Sequence, residues 1–104
     1  MGALLSLQMP PTAVVCTTDL LAIGVLHSAA EKGLRIPQDI SVTGFDDLPV
    51  SEHLVPALTT LRMPIRDMAE RAVRIAIGDT EAAAVVEVMQ PTLVVRRSTE
   101  VASG

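Results

Sequence analysis

The chain has 104 residues, which is enough to bury one hydrophobic core but not two independent ones. Its eight Lys and Arg residues are outnumbered by twelve Asp and Glu residues, and the formal net charge of −4 argues against direct binding to nucleic-acid phosphates. Because hydrophobic residues make up 49% and aromatic residues 1%, the core must be aliphatic, and Phe45 is the only aromatic residue that could stack on a ligand. The single cysteine, Cys16, cannot form an internal disulfide, which favours a reducing compartment, and we expect the cytoplasm.

The N-terminal segment, residues 1–9, is apolar, but no basic residues precede the apolar run and the run is too short to cross a bilayer. We therefore expect no membrane partner, and we interpret the segment as the last turns of a helix that Pro10 and Pro11 stop. A complete α/β domain more often opens with a strand. Because this chain begins within a predicted helix, it is interpreted as a fragment or as the product of a truncated reading frame.

The next segments predict a βαβ unit. Thr12–Thr17 is a short, nearly all-apolar run with β-branched residues, as expected for a buried parallel strand. Its last residue or Thr18 can cap a helix that continues to about Lys32, where Gly33 ends it in a left-handed conformation. Ile40–Phe45 is the next predicted strand. A strand, a helix and a strand within about 35 residues form a right-handed crossover with parallel strands, so the predicted fold class is α/β.

The segment after this unit is predicted to be a loop, because residues 47–57 contain two prolines and mixed polar side chains, with one helical turn at Ser51–Leu54. Leu58–Arg62 is predicted to be a short extended segment, since its two threonines are β-branched. Pro64 suits the first turn of the following helix, Ile65–Ile77, whose apolar residues form one stripe with i, i+3, i+4 and i+7 spacing. The second half therefore adds an extended segment and an amphipathic helix.

The C-terminal quarter is predicted to form two strands, Val85–Met89 and Thr92–Arg96, separated by Pro91. Gly78 and Asp79 are expected to end the helix before them. The polar face of that helix offers two i,i+4 ion pairs, Asp67 with Arg71 and Glu70 with Arg74.

Four short segments carry patterns of residue types that are more specific together than any one of them alone. They are Pro11–Gly24, Gly33–Asp47, Pro56–Pro64 and Leu93–Thr99. The first reads Pro-Thr-Ala, a strand, Thr-Asp and an apolar-Ala-apolar-Gly quartet, and the second contains Gly-Leu-Arg-Ile-Pro and ends Gly-Phe-Asp-Asp. In this order the four segments resemble the LacI/GalR family of bacterial transcription regulators.

The resemblance implies a periplasmic-binding-protein-like fold of type I, in which two α/β lobes close on a small ligand and of which this chain holds a part. Leu58–Pro64 matches the last of three crossings between the lobes. By this mapping, residues 1–57 and about 85–104 belong mostly to the C-terminal lobe, and residues 65–77 form a helix of the N-terminal lobe. A partial domain exposes apolar surface, so we expect a homodimer or a strand-exchanged oligomer.

The function implied is that of the ligand-sensing and dimerisation portion of a repressor whose effector is a small molecule such as a sugar or a nucleoside. No DNA-binding domain is found in this sequence, so operator DNA would be contacted only through an N-terminal helix-turn-helix that the chain lacks.

The resemblance also implies where a ligand would bind. In open parallel sheets, ligands lie beyond the carboxyl ends of the strands. Asp46 matches the first Asp of the family's Gly-aromatic-Asp-Asp turn, which accepts hydrogen bonds from ligand hydroxyls or ring nitrogens. Thr18 stands where the family usually has an Asn, and a hydroxyl cannot offer the paired donor and acceptor of an amide. The predicted ligand-binding residues, taken from both strand ends, are Asp46, Thr18, Asp19 and Phe45.

Each polar residue among these also has a purely structural interpretation, which the sequence leaves open. Asp46 and Asp47 can satisfy backbone amides of their own turn. Thr18 can serve as the N-cap of the first long helix and nothing more. Asp19 can serve the start of that helix, where a carboxylate interacts favourably with the positive end of the helix dipole.

Ile23, His27 and Leu54 are the predicted dimer-interface residues. Ile23 and Leu54 match positions in the family's dimer interface, one on the helix and one in the loop after the acidic turn, and ordinary core packing is the alternative. His27 and His53 have no Cys, His or carboxylate partner at metal-ligand spacing, so each is expected to be a surface or interface side chain. No metal and no cofactor is expected.

Two other classes of function were weighed against a regulator. A transport binding protein of the same fold would need an export signal, which the sequence does not show. An enzyme built on Asp46 and Asp47, or a phosphate-accepting receiver domain, would need a nucleophile with its base or a Gly-rich phosphate loop, and neither motif is present. We therefore expect that the chain is not an enzyme.

Overall fold

A computed structural model describes residues 1–78 and 86–102. Its strands are each three residues long, so the strands expected at 12–17, 40–45 and 92–96 were predicted too long at their ends. In chain order the elements are α1 (Gly2–Leu5), β1 (Ala13–Val15), α2 (Asp19–Glu31), β2 (Ser41–Thr43), a 3₁₀-helix (Ser51–His53), β3 (Thr60–Arg62), α3 (Ile65–Ala76) and β4 (Thr92–Val94).

Two small sheets carry the fold, and one parallel bridge joins them. β1 and β2 pair in parallel, with Val14 opposite Val42, and α2 connects them as the crossover. β3 and β4 pair in the antiparallel direction. Thr43, at the end of β2, forms a parallel bridge with Thr59. The predicted α/β class with a parallel sheet is confirmed.

Local chemistry sets both ends of α2. The Thr18 hydroxyl oxygen accepts a hydrogen bond of 3.2 Å from the Leu21 amide, so Thr18 is the N-cap. At the other end, Gly33 has a φ of +70°, a conformation that costs glycine little. The Leu34 amide then donates to the Ala29 carbonyl at 2.9 Å, as expected where a left-handed residue ends a helix. The predicted cap and stop are confirmed.

The core lies between α2 and the β1–β2 sheet. Ala22 and Ala29 on the inner face of α2 are fully buried, and their small side chains let the helix approach the sheet closely. Leu20 and Leu21 on the outer face are exposed. The central cluster of buried side chains is Cys16, Ala22, Val42 and Leu58.

Two expectations about helices and strands are wrong in part. Helix α1 ends at Leu5 rather than continuing towards Pro10, and the Ser6 hydroxyl donates to the Ala3 carbonyl at 2.9 Å just beyond that end. No strand forms at residues 86–89, which lie within the described part of the chain, whereas Val85 lies outside it. Residues 86–89 form no strand because Glu87 binds Arg71, which holds this segment against α3.

The expected ion pairs of α3 are replaced by two others. Arg66 Nε donates to Glu70 Oε1 at 3.2 Å, which leaves Glu70 paired one turn earlier than predicted. Arg71 Nε donates to Glu87 Oε2 at 2.7 Å, and this contact holds the 86–89 segment against the helix. The helix begins one residue after Pro64, which takes the N-cap position rather than the first turn. Gly78, with a φ of +74°, ends it as expected, while Asp79 lies outside the described residues.

Helix α3 stands away from the core. Every residue of the helix is exposed or half-buried, including Ile65 and Val73 on its apolar stripe. The radius of gyration is 17.8 Å, whereas a compact domain of this size has a radius of about 13 Å. Among residues 1–78 and 86–102, no helix is both long and apolar enough to cross a membrane.

Candidate functional site

The two predicted strand ends meet at one edge of the parallel sheet. The Asp19 amide, in the first turn of α2, donates a 2.9 Å hydrogen bond to the Phe45 carbonyl, just after β2. This contact brings the Thr18–Asp19 segment beside the acidic turn formed by Phe45, Asp46 and Asp47. The structure therefore unites the residues predicted for ligand binding at a single edge, as expected for the carboxyl ends of parallel strands.

Asp19 lies beneath this edge and is fully buried. One of its carboxylate oxygens accepts hydrogen bonds from Ser51 Oγ at 2.5 Å and from the Leu48 amide at 2.8 Å. The other accepts from Thr60 Oγ1 at 2.6 Å. A buried carboxylate is tolerated when such donors replace water. Asp19 thus ties the start of α2 to the acidic turn, to the 3₁₀-helix and to β3.

Ser51 and Thr60 were missed by the sequence analysis, although both are fully buried polar residues of the site. They lie 32 and 41 residues from Asp19, so no local spacing pattern connects them. The only sequence signal is the pair Thr59–Thr60 in a segment otherwise predicted to be an ordinary extended stretch.

Asp47 is held by two arginines rather than by turn amides. Its carboxylate accepts from Arg62 Nε at 2.7 Å and from Arg96 Nη2 at 2.7 Å. Burial alone would raise the pKa of Asp47, but the hydrogen bonds and charges of the two arginines outweigh it and hold the pKa below its ordinary value. Arg96 also donates to the Leu58 carbonyl at 2.9 Å. Asp47 is therefore an ionised anchor between the turn and the β3–β4 sheet.

Asp46 has a different environment from its neighbour. Its side chain is half-buried, and within the described part of the chain its carboxylate accepts no hydrogen bond. Its backbone is fixed, because its amide donates to the Leu61 carbonyl at 2.9 Å. An ionised carboxylate with free lone pairs can accept from two adjacent donor groups of a ligand.

Thr18 and Phe45 lie on the two chain segments that meet at this edge. The Thr18 oxygen is engaged as the N-cap acceptor, but its hydroxyl proton can still be donated. Both residues are half-buried, so each retains surface that a ligand could contact. The edge thus offers one acceptor, one hydroxyl donor and one aromatic ring.

The residues predicted for a dimer interface are spread over two elements. Ile23 is half-buried on α2, beside the exposed Leu20. Leu54 is half-buried and packs against the core cluster, as the alternative interpretation expected. His27 is exposed, and its imidazole lies 3.6 Å from Glu31.

The histidines differ from expectation in one respect, because each has a carboxylate neighbour. His27 faces Glu31, one helical turn away, and His53 lies 3.3 Å from Glu52. Within the described ranges, no group of three or more His, Cys, Asp or Glu residues is placed to hold a metal ion. Both are contacts between exposed side chains at the surface.

A separate concavity of about 240 Å³ lies along β1 and the C-terminal segment. Thr12, Val15 and Glu100 are among its lining residues, but Thr18, Phe45 and Asp46 are not. Its lining also includes polar side chains, among them Gln38, Asp39, Ser41 and Thr99. The candidate site is assigned to the edge because the residues predicted for ligand binding meet there and do not line this concavity.

Comparisons with known proteins show the family to which the chain belongs. A family model described as a periplasmic binding protein-like domain matches residues 2–99. The transcriptional regulator MalR of Streptomyces coelicolor is 46% identical over 96 residues, which cover 89% of this chain and 28% of MalR. The chain thus spans less than a third of this curated relative.

Two solved structures have the same fold. The lac repressor dimer bound to operator and the anti-inducer ONPF superposes with a TM-score of 0.78 at 33% identity, covering 86% of this chain and 32% of the repressor chain. A LacI family transcriptional regulator from Arthrobacter sp. FB24, in complex with lactose, gives a TM-score of 0.71 at 32% identity, covering 86% of this chain and 35% of that one.

The chain belongs to the periplasmic binding protein-like domain family. Within that family it is similar to the LacI-type transcriptional regulators, and the resemblance predicted from the four sequence segments is confirmed.

Proposed function

We propose that the chain is the ligand-sensing and dimerisation portion of a LacI-type transcriptional regulator. The observation that carries the proposal is the free, half-buried carboxylate of Asp46 at the carboxyl edge of the parallel sheet. Regulators of known structure with the same fold include one in complex with lactose. The complete protein would contact operator DNA through a separate helix-turn-helix, and it would act in the cytoplasm.

The proposed ligand is a small molecule with adjacent hydroxyls or ring N–H groups, such as a sugar or a nucleoside. Asp46 would accept from two such donors, and the Thr18 hydroxyl would donate to a ligand oxygen. Phe45 would contact the apolar face of the ligand. Asp19, although predicted from sequence as a ligand-binding residue, is proposed to act from beneath, because its carboxylate already accepts three hydrogen bonds from the protein.

The division of the chain between two lobes is part of the proposal. Residues 1–57 and about 85–104 would belong mostly to the C-terminal lobe, and α3 to the N-terminal lobe. The position of α3 supports this division, because the helix stands away from the core and leaves its apolar stripe exposed. A ligand that binds the closed arrangement more tightly would shift the population of the lobes towards closure.

The proposed dimer contact is the side of α2 that carries Leu20, Ile23 and His27, together with Leu54. The three residues of α2 recur at i, i+3 and i+7 and so share one side of the helix, where Leu20 and His27 are exposed. Exposed apolar residues on such a side are typical of surfaces that another protein covers. A homodimer, or an oligomer formed by strand exchange, would cover them.

A regulator is favoured over the alternatives. The relatives are named as regulators and repressors, which gives no support to a transport binding protein. We also propose that the chain has no catalytic activity, since the Asp47 carboxylate is engaged with two arginines and cannot pair with Asp46 as an acid and base.

The proposal can be tested by isothermal titration calorimetry on the full-length protein with a panel of disaccharides and nucleosides. The Asp46→Ala variant is expected to weaken binding of any ligand found by about tenfold or more, since hydrogen bonds to a charged group contribute about 1.5–3 kcal/mol. Asp39→Ala is the matched control, because Asp39 is paired with Arg35 away from the edge. Equal affinities of wild type and Asp46→Ala would refute the role of Asp46.

A further inference from the structure

The acidic turn contains two successive non-glycine residues with positive φ. Asp46 has a φ of +115° and Asp47 a φ of +55°. The second value lies in the left-handed helical region that aspartate tolerates, whereas the first is unfavourable for any residue with a Cβ. Such a backbone persists only when the surrounding structure fixes it.

Within the described residues, the hydrogen bonds and ion pairs of Asp46 and Asp47 themselves come from the β3–β4 side, whereas the flanking Phe45 carbonyl and Leu48 amide are bonded to Asp19. The Asp46 amide donates to the Leu61 carbonyl at 2.9 Å, and the Asp47 amide lies 3.4 Å from Thr60 Oγ1. The strongest contacts are ionic, because the Asp47 carboxylate binds Arg62 and Arg96 at 2.7 Å each.

The three charged side chains of this cluster are unequally exposed. The Asp47 side chain is 9% exposed and that of Arg96 is 14% exposed, whereas Arg62 is 58% exposed. Contacts between poorly hydrated charges are stronger than surface ion pairs, so the Asp47–Arg96 pair is the principal one. The same burial leaves little of Asp47 for a ligand.

We propose that Asp47 is a positioning residue: by binding Arg96 and Arg62 it holds the positive-φ turn and so orients the neighbouring Asp46 carboxylate. The holding of the turn does not depend on any ligand. Only the role of the oriented carboxylate rests on the function proposed above.

The two ion pairs of Asp47 link the acidic turn to the segment that leads to α3 and to the segment that returns from it. Arg62 is the last residue of β3, three residues before α3 begins, and Arg96 follows β4 on the return. A displacement of either strand must move the turn or break one of the two ion pairs. A ligand held by Asp46 would therefore resist such a displacement, and movement of the strands would alter the orientation of Asp46.

The experiment is residue-resolved amide hydrogen exchange of the full-length protein, without ligand, for wild type and Asp47→Asn. The substitution keeps the size of the side chain and removes its charge. We expect exchange of the Asp46 and Asp47 amides to increase at least about tenfold, which corresponds to a loss of local protection. The Cys16 and Ser41 amides, which donate to the Thr43 and Thr12 carbonyls in the β1–β2 region, should change little. Asp39→Asn, which removes an exposed ion pair with Arg35, is the matched control and should leave the turn unchanged.

Two outcomes would overturn the proposal. One is unchanged exchange at Asp46 in Asp47→Asn, and the other is an equal increase at Cys16 and Ser41, which would indicate general destabilisation. Because no ligand is present, either result leaves the calorimetric test of Asp46 unaffected.

A second variant tests the link to the strained backbone. Glycine adopts positive φ without a Cβ penalty, so Asp46→Gly is expected to raise the thermal stability more in the wild-type background, where Asp47 holds the turn, than in Asp47→Asn, where the turn can relax. If Asp47 serves only as a general surface charge, Asp46→Gly will have the same effect in both backgrounds, and the proposal fails.

Discussion

Gly44 lies so close to Asp19 that a Cβ atom at residue 44 would overlap Asp19 Oδ1 and stand 3.1 Å from Asp19 Cα. The close approach lets the buried carboxylate reach both the acidic turn and β3. Because Asp19 is fixed by three hydrogen bonds, it cannot move aside for a larger residue. The glycine of the Gly-Phe-Asp-Asp turn is therefore required by packing and not by a positive φ.

Gly44→Ala is expected to destabilise the protein by about 1–3 kcal/mol, the usual cost of overpacking. Gly24→Ala is the matched control, because a Cβ at residue 24 would meet no atom within 4 Å and alanine favours the helix. Urea unfolding of both variants measures the difference. A Gly44→Ala variant as stable as Gly24→Ala would contradict the close approach.

Thr60→Val tests the buried hydrogen bonds of Asp19. The substitution keeps the shape of the side chain but removes the hydroxyl that donates to Asp19 Oδ1 at 2.6 Å. Loss of a bond to a charged group should cost about 1.5–3 kcal/mol. Thr12→Val, at an exposed position, should change the free energy of unfolding by less than about 0.5 kcal/mol. If both variants unfold at the same urea concentration, the hydrogen bond from Thr60 to Asp19 does not contribute to the stability of the fold.

The stability contributed by Asp47 should depend on pH. Its pKa in the folded chain lies below the ordinary value of 3.8, so its contribution is present above that value and is lost as the pH falls through the lowered folded pKa. Urea unfolding from about pH 6 to about pH 2 should show a shallower decline for Asp47→Asn than for wild type. Parallel declines would show that Asp47 is not stabilised by the arginines.

Ile23→Glu should weaken self-association, because it places a charge on the side of α2 proposed as the dimer contact. Analytical ultracentrifugation of the full-length protein should show an increase of about tenfold or more in the dissociation constant of the dimer. Leu7→Glu, at an exposed leucine away from α2, is the control. An unchanged dissociation constant for Ile23→Glu would exclude this face as the dimer contact.

Much of the βαβ unit could be predicted because its signals are local. A hydroxyl at Thr18, a glycine at Gly33 and the apolar runs on either side act within a few residues of their own positions. The contacts of Asp19 with Ser51 and Thr60 could not be predicted in this way, because they depend on how β3 packs beside β2. The sequence analysis placed Asp19 at the helix start but could not identify the donors around it.

The errors in the second half have a similar cause. Arg71 was predicted to pair with Asp67 and instead binds Glu87, because spacing along a helix cannot show which carboxylate a distant segment will bring. Arg71 pairs with Glu87, so the segment expected to form a strand lies against α3 instead. The acidic turn shows the same limit, since two adjacent aspartates with similar sequence surroundings have unlike environments: Asp47 is bound by arginines, and Asp46 is left free.

The most direct test of the central claim compares wild type with Asp46→Asn, which exchanges the carboxylate for an amide of equal size. The measurement is the dissociation constant, by calorimetry, for the tightest-binding member of the sugar and nucleoside panel. The account predicts that binding is weakened by about tenfold or more, because an amide lacks the full negative charge with which the carboxylate accepts from two ligand donors. An unchanged dissociation constant would contradict the claim that Asp46 recognises the ligand.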